Sequence, residues 1–524
     1  MRPCPLPVLP AVVRVLAALS VVALCTASRA DAPVPAAKPA AAPAERPVSP
    51  FVDDLQRRAF LYFWERADPK TGLVPDRWPT KSYMHVAGVG FALTAVPIGA
   101  ARGWITRAEA RERVLTTLRF LHDAPQGPAV HGTAGYKGFF YRYLEPETGT
   151  RWGHIELSTV DTALLMGGVL FAGGYFDGAD PAEAEIRRLA DAIYTRVDWR
   201  WMQVRGAAIS HGWVPDTRRA AADLIVEGRT SGTSGEPTPG HLVLDWKGNC
   251  EAMIVYLVAL GNPEHGVGAE AWEPWTSTYD RDWGSVYGQE HLSFVALFAH
   301  QFTQTWYDLR GVRDAWGRAK GLDYFENSRR ATHAQRAYAM MNPLRWRDYG
   351  ENVWGLSATD GPIDVKLDTP DGLRSFRTYA ARGISLREQV DDGTLSPSGL
   401  ISSIAFAPEI VLPAIEEMGK RYGGYAIGRY GFMEALNPSF VYPMRLHHGR
   451  VVEDGTPEGK GWVDSDWLAI DQGPIVAMIE NYRTGLVWNT LRRSPHVRRA
   501  LERAGFTGGW LAEPVVKPAS GTVK

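Results

Sequence analysis

The chain has 524 residues, 45% of them hydrophobic, and a formal net charge of −1. That is enough apolar surface for one large core or for two to three ordinary ones. The near-zero charge excludes a field that would grip nucleic acid or an acidic lipid surface.

Residues 1–32, "MRPCPLPVLPAVVRVLAALSVVALCTASRADA", combine early arginines, an apolar stretch and small residues near Ala30 and Ala32. They read as a cleaved signal peptide, so a periplasmic or secreted protein is expected, with no membrane span. Cys25 raises a lipoprotein reading, but Leu24 before it is larger than such signals allow. Cys4 and Cys25 leave with the signal, and Cys250 alone cannot form an internal disulfide. Residues 33–50 are an Ala/Pro-rich linker without periodicity. One domain is expected over 51–510, then a flexible tail over 511–524.

Within the domain the periodicity is helical. Helices are expected at Phe51–Ala67, then at "ITRAEARERVLTTLRFLHD", where Thr106 and Glu109 form a capping box and Val114, Leu115, Leu118 and Leu121 share a face. Ser158–Phe176 follows. Next comes "DPAEAEIRRLADAIYTRV", with Asp180 as cap and Pro181 at the first helical position. Glu251–Leu260, Ser293–Leu309, Ser328–Met341, Pro408–Tyr422 and Gln472–Val487 are further helices. "SPHVRRALERAGF" closes the series with Ser494, Pro495 and a stopping Gly505. Many helices, few convincing strands and long loops fit an all-α fold, an (α/α)6 barrel with irregular loops forming a cleft at one rim; a two-domain helical protein is the alternative.

Those loops carry the chemistry. The chain has 19 Trp and 20 Tyr. They cluster with acids in "PDRWPTKSY", "RWGHIELSTVD", "SHGWVPD", "LDWKGNCE", "YGENVWGLSATDGP" and "WVDSDWLAIDQGP". Amphipathic rings beside acids suit a polar, uncharged, ring-shaped ligand, although most single Trp residues serve a core. This singles out Asp76, Arg77, Trp213, Trp246, Trp354, Asp360 and Asp471 as candidate substrate-binding residues. Several carboxylates also open helices: Asp161 three positions after Ser158, Glu156 just before that cap, Glu251 before an apolar run, and Asp471. Any one of them is explained by capping and the helix dipole. Several together suggest paired carboxyl groups for glycoside hydrolysis, one protonated for the leaving oxygen and one ionised for water. Burial beside Trp246 would raise the pKa of Glu251, while the helix dipole would lower it. There is no phosphate loop, dinucleotide fingerprint, HExxH, CxxC or GxSxG motif. The 13 histidines, the His447–His448 pair included, lack metal spacing, so no metal and no cofactor are expected.

"FLYFWERADPKTGLVPDR", "ELSTVDTALLMGGVLFA", "HGWVPD", "DYFENSRRATHAQRAY", "WGLSATDGP", "DDGTLSPSG", "FAPE" and "DQGPIVAMIENYRTGLVW" occur in one order. Together, from about Phe51 to about Phe506, they resemble the bacterial glycoamylase-like family that includes the endo-β-1,2-glucanases of glycoside hydrolase family 144. The resemblance implies an (α/α)6 barrel and hydrolysis of linear β-1,2-glucan to sophoro-oligosaccharides, with inversion and without metal. It implies Glu251 as general acid, and places Asp161 and Glu156 in or beside the active site. One departure is "GFMEALNP", where relatives often read Gly-Phe-x-Asp-Ala-Phe-Asn: Glu434 stands for aspartate and Leu436 for an aromatic. If Glu434 activates water, its extra methylene moves the carboxylate by about 1 Å, enough to alter rate or specificity. The stretch "EGRTSGTSGEPTPGHLVLDWKGN" is long and could turn endo into exo cleavage. A transglycosylase on the same glucan and a non-catalytic periplasmic glucan-binding protein are the alternatives. The expected partner is the glucan itself, bound by a monomer, with no nucleic acid.

Overall fold

The computed structural model describes residues 45–216, 240–453 and 459–513. The expected signal peptide, most of the expected linker, most of the 227–249 stretch and residues 514–524 of the expected tail lie outside the described residues. Residues 45–513 belong to one compact unit.

In chain order the helices are α1 (Pro50–Arg66), α2 (Val86–Ala101), α3 (Arg107–Asp123), α4 (Thr159–Tyr175), α5 (Pro181–Thr195), α6 (Met253–Gly261), α7 (Trp272–Thr276) and α8 (Tyr279–Asp282). There follow α9 (Phe298–Trp306), α10 (Ala315–Lys320), α11 (Tyr324–Met341), α12 (Pro397–Ile401), α13 (Pro408–Ala426), α14 (Ala469–Arg483), α15 (Leu486–Leu491) and α16 (Pro495–Arg503). Six of them, α2, α4, α6, α9, α12 and α14, form an inner ring. Consecutive members pack on one another and α14 closes onto α2. Between α9 and α12 the link is Gln301, whose amide donates to Gly399 O and Ser403 Oγ. An outer layer of α1, α3, α5, α16, α11 and α13 covers the ring. This is an (α/α)6 barrel. Among the described residues no strand is longer than five residues, so the strands lace loops together and build no layer.

Sequence chemistry explains the division. Outer helices carry one apolar stripe, and α1, α3, α5 and α11 have side-chain caps, whereas Ala407 before α13 has no capping side chain and Ser494 makes no cap bond to α16. Thr106 and Glu109 make the reciprocal capping box of α3, and Asp180 accepts from Ala182 N with Pro181 opening α5. Inner helices are buried all round, and α2 is buried at every position from Val86 to Gly99. That apolar run carries glycines and Pro97 and has no one-sided stripe, so periodicity reads no helix there. Other boundaries move for local reasons. The expected Ser293–Leu309 helix starts at Phe298, because Gln289–Leu292 pairs with Trp283–Val286 and Ser293 Oγ bonds Asp282 O. α11 starts early, capped by Asp323. α14 stops at Arg483, and Gly485, with φ +70°, separates it from α15.

The closest inner pair depends on glycine. A Cβ at Gly168 would lie 2.0 Å from Gly90 O, and one at Gly90 would lie 2.4 Å from Leu164 O. Both clashes are with backbone, which cannot rotate away. Gly168→Ala is expected to cost about 3 kcal/mol of unfolding free energy in a urea titration, the upper range for overpacking.

Candidate active site

The inner helices begin at one rim. His85 precedes α2, Ser158 caps α4, Glu251 and Ala252 precede α6, Ser396 caps α12, and Asp471 sits in the first turn of α14. Short antiparallel pairs tie the loops between them. Arg77–Trp78 pairs with Trp467–Leu468, Leu157–Ser158 with Gly212–Trp213, and Leu436–Asn437 with Gly461–Val463. The pairings bring acids from distant parts of the chain together.

One group centres on His85. Its Nε2 lies 2.9 Å from Asp161 Oδ1 and its Nδ1 lies 3.1 Å from Asp76 Oδ1. All three side chains are buried. Burial works against the imidazolium, but the bonds to Asp161 and Asp76 outweigh it and raise His85 to about 9. Burial likewise opposes the Asp161 carboxylate, yet His85 and Arg142 hold it down at about 2. Ser158 Oγ accepts from Asp161 N at 3.2 Å as the helix cap and lies 2.5 Å from Asp161 Oδ2, so this first-turn acid is held by the cap and receives the histidine. Glu156 is ion-paired to Arg142, and its burial keeps its pKa above the usual carboxylate range.

This arrangement has a signed pH dependence. A raised His85 gives stability that is complete below its unfolded value of 6.5 and is lost as pH climbs through about 9. A depressed Asp161 gives stability present above 3.8 and lost as pH falls through about 2. The melting-temperature gap between the wild type and His85→Gln is therefore expected to be widest from pH 4 to 6.5 and to shrink by pH 9. A gap independent of pH would show a neutral His85.

The second group is acidic and surrounds Arg77. The guanidinium lies 2.7 Å from Asp360, 3.3 Å from Asp76 and 3.7 Å from Asp466. Glu434 Oε1 accepts from Asp360 N at 2.8 Å, and Ser398 Oγ donates to Asp471 Oδ1 at 2.7 Å. Burial first, then the fields of Asp360, Asp464 and Asp471, push Glu434 well above the usual range. Burial is also the main cause that brings Asp464 and Asp471 up to about 7. One arginine cannot neutralise so many carboxylates, and Glu434, Asp464 and Asp471 are the members that retain protons toward neutral pH. One oxygen each from Asp360, Glu434 and Asp464 lies within 4.8 Å of the other two. That oxygen-only trio is, among the described residues, the place where a hard cation could also be held.

Glu251 lies half-buried in the turn before α6, outside its regular helical residues. Trp246 is buried. Its ring stacks on His211 at 3.6 Å, and its Nε1 donates to Thr159 Oγ1 at 2.9 Å, joining the approach of α6 to the start of α4. Trp213 packs against Trp201 and Tyr136. Trp354 is only 1% exposed and belongs to the core, which leaves it no face for a ligand. The structure thus brings Asp76, Arg77, Asp161, Glu156, Asp360, Glu434 and Asp471 to the rim together and buries Trp354 in the core. His85, Arg142, Ser398, Asp464 and Asp466 join them without having been singled out. The two aspartates stood in the quoted "WVDSDW" loop, but His85 left no pattern in the sequence.

The Glycoamylase family model, described as "Putative glucoamylase", matches residues 243–495. The exo β-1,2-glucooligosaccharide sophorohydrolase (non-reducing end) of Parabacteroides distasonis is 26% identical over 491 residues, which cover 86% of this chain. The chain spans 57% of the length of that curated relative. A crystal structure from Bacteroides uniformis, of the same glucoamylase description, superposes with a TM-score of 0.70 at 26% identity, covering 89% of this chain and 100% of that one. The endo-β-1,2-glucanase of Chitinophaga pinensis, solved with sophorotriose and glucose, shares the fold with a TM-score of 0.69 at 24% identity, covering 88% of this chain and 99% of that one. Residues 243–495 are thus similar to the glycoamylase family, and the helical barrel as a whole is similar to that of the Bacteroides uniformis structure.

Proposed function

We propose that the chain hydrolyses β-1,2-linked glucan to short sophoro-oligosaccharides with inversion. Glu251 acts as general acid, and a water is activated at the carboxyl set around Glu434. The observation that carries this reading is that set: buried acids from the α11–α12 connection, the α13–α14 connection and the first turn of α14 meet at the rim where the inner helices begin. The sophorohydrolase relative supports the choice of linkage.

Hydrolysis breaks the bond between the anomeric carbon and the leaving oxygen. The acid gives its proton to that oxygen, and water adds to the anomeric carbon while losing a proton to a base. Asp464 and Asp471, titrating near 7, are partly ionised at neutral pH. The proton lost by the water can therefore enter the set at an ionised Asp464 or Asp471, beside a Glu434 that already holds its own. Asp161, held ionised by His85, orients groups and is not the proton donor. The signal-like pattern of residues 1–32, early arginines before an apolar stretch, supports action in the periplasm or outside the cell, and no helix among the described residues is long and apolar enough to cross a membrane.

The test is incubation with linear β-1,2-glucan, with products followed by mass spectrometry and by NMR of the new anomeric centre. Sophoro-oligosaccharides released first as the α-anomer would support the reading; addition of acceptor sugars to the products would favour transfer over hydrolysis. Disaccharide released alone from the start would indicate exo action, and a spread of lengths endo action.

A further inference from the structure

Three aromatic rings form a continuous ledge from solvent to the His85 group. Tyr83 stacks on Tyr143 with centroids 3.7 Å apart and planes 30° apart, and Trp152 follows at 4.8 Å from Tyr83. Tyr143 meets His85 edge-on at 5.2 Å, and His85 reaches Asp161 at 2.9 Å. The backbone fixes this order. His85 is paired directly opposite Tyr143, Asp76 N donates to Tyr83 O at 2.9 Å, and Trp152 N donates to Tyr143 O at 3.1 Å. At the outer end Trp152 is 40% exposed.

A lone exposed tryptophan requires no explanation. A fixed file of rings that ends on a buried carboxylate is different. A pyranose offers C–H bonds on its face and hydroxyls at its edge, so it can cover an aromatic face while its hydroxyls stay wet. We propose that Tyr83, Tyr143 and Trp152 form a stacking subsite for a glucose ring of the bound glucan, with Trp152 setting how tightly the chain is held beside the reacting bond. The assignment of glucose rests on the proposed glucan reading; the ledge itself rests on the ring geometry.

Trp78 provides a control. It is 37% exposed at the same rim, but strand alternation turns it away from Arg77, and the Arg66 guanidinium lies 4.5 Å from its ring.

The experiment measures kcat and KM of wild type, Trp152→Ala, Trp152→Phe and Trp78→Ala on a ladder of β-1,2-gluco-oligosaccharides. Fluorescence titrations with the same sugars and with linear β-1,3- and β-1,4-gluco-oligosaccharides give Kd, and thermal melts check folding. Trp152→Ala should raise KM and Kd about tenfold with kcat within about twofold, the scale for losing one stacked ring. Trp152→Phe should recover most of the loss, and Trp78→Ala should keep the wild-type KM. The ledge is overturned if Trp152→Ala stays within twofold of wild type, or if Trp78→Ala raises KM as much. If wild type binds only another linkage and loses it in Trp152→Ala, the linkage is wrong and the ledge stands. If wild type binds none of these sugars, both fall.

Discussion

Glu251→Gln is expected to lower kcat on β-1,2-glucan by at least about 10²-fold, the scale for a missing general acid, while the melting temperature stays within a few degrees. The amide is nearly isosteric with the acid and retains an oxygen that can accept. It cannot release a proton to a glycosidic oxygen. The stability expectation follows from position: Glu251 precedes the helical residues Met253–Gly261, and Ala252 is the residue at the cap. The exchange therefore removes no helical hydrogen bond. A second substrate sharpens the test. An aryl β-sophoroside with a nitrophenolate leaving group needs little protonation, so its hydrolysis should fall far less than that of the glucan. Equal losses on both would show that Glu251 acts by another means, and near-normal turnover of the glucan would sink the assignment.

The caps and stripes of the outer helices could be read directly. Thr106 with Glu109 and Asp180 with Pro181 are local grammar, complete within four residues. The inner wall was harder. α4 announces itself through Ser158 and Asp161, but α2, a glycine-bearing apolar run with an internal proline, has no stripe because every side is covered. The same divide runs through the site. Asp161 and Asp471 could be placed at helix mouths, because capping is local. That His85 lies between Asp76 and Asp161, or that Asp464 lies beside Glu434, depends on which loops pair across the rim. No spacing in one sequence contains that. Trp354 shows the converse limit. It stands in a Gly- and Asp-rich loop like the other tryptophans, and only packing distinguishes a core ring from a cleft ring.

Arg77→Met is expected to destabilise the protein by about 3 kcal/mol at pH 8, the lower end for removing one partner of buried ion pairs, and by much less at pH 5. The lower end applies because the Arg77 side chain keeps 18% of its exposure and solvent already screens part of its field. The loss arises from what remains: Asp360, Asp76 and Asp466 face one another without their shared cation, beside Glu434, Asp464 and Asp471, whose burial already favours the protonated form. The variant can relieve this repulsion only by taking up protons. Its native state then binds more protons than its unfolded state between pH 5 and 8, so its stability falls as pH rises across that range. Wild type, with the cation in place, loses less over the same interval. Urea unfolding of both proteins at pH 5 and pH 8 measures the difference. Arg77→Lys should lie between them, since it restores one charge but cannot reach two carboxylates with a planar fork. A gap that stays constant with pH would mean that Arg77 acts through packing, and that its charge does not set how many protons the acids around Glu434 hold.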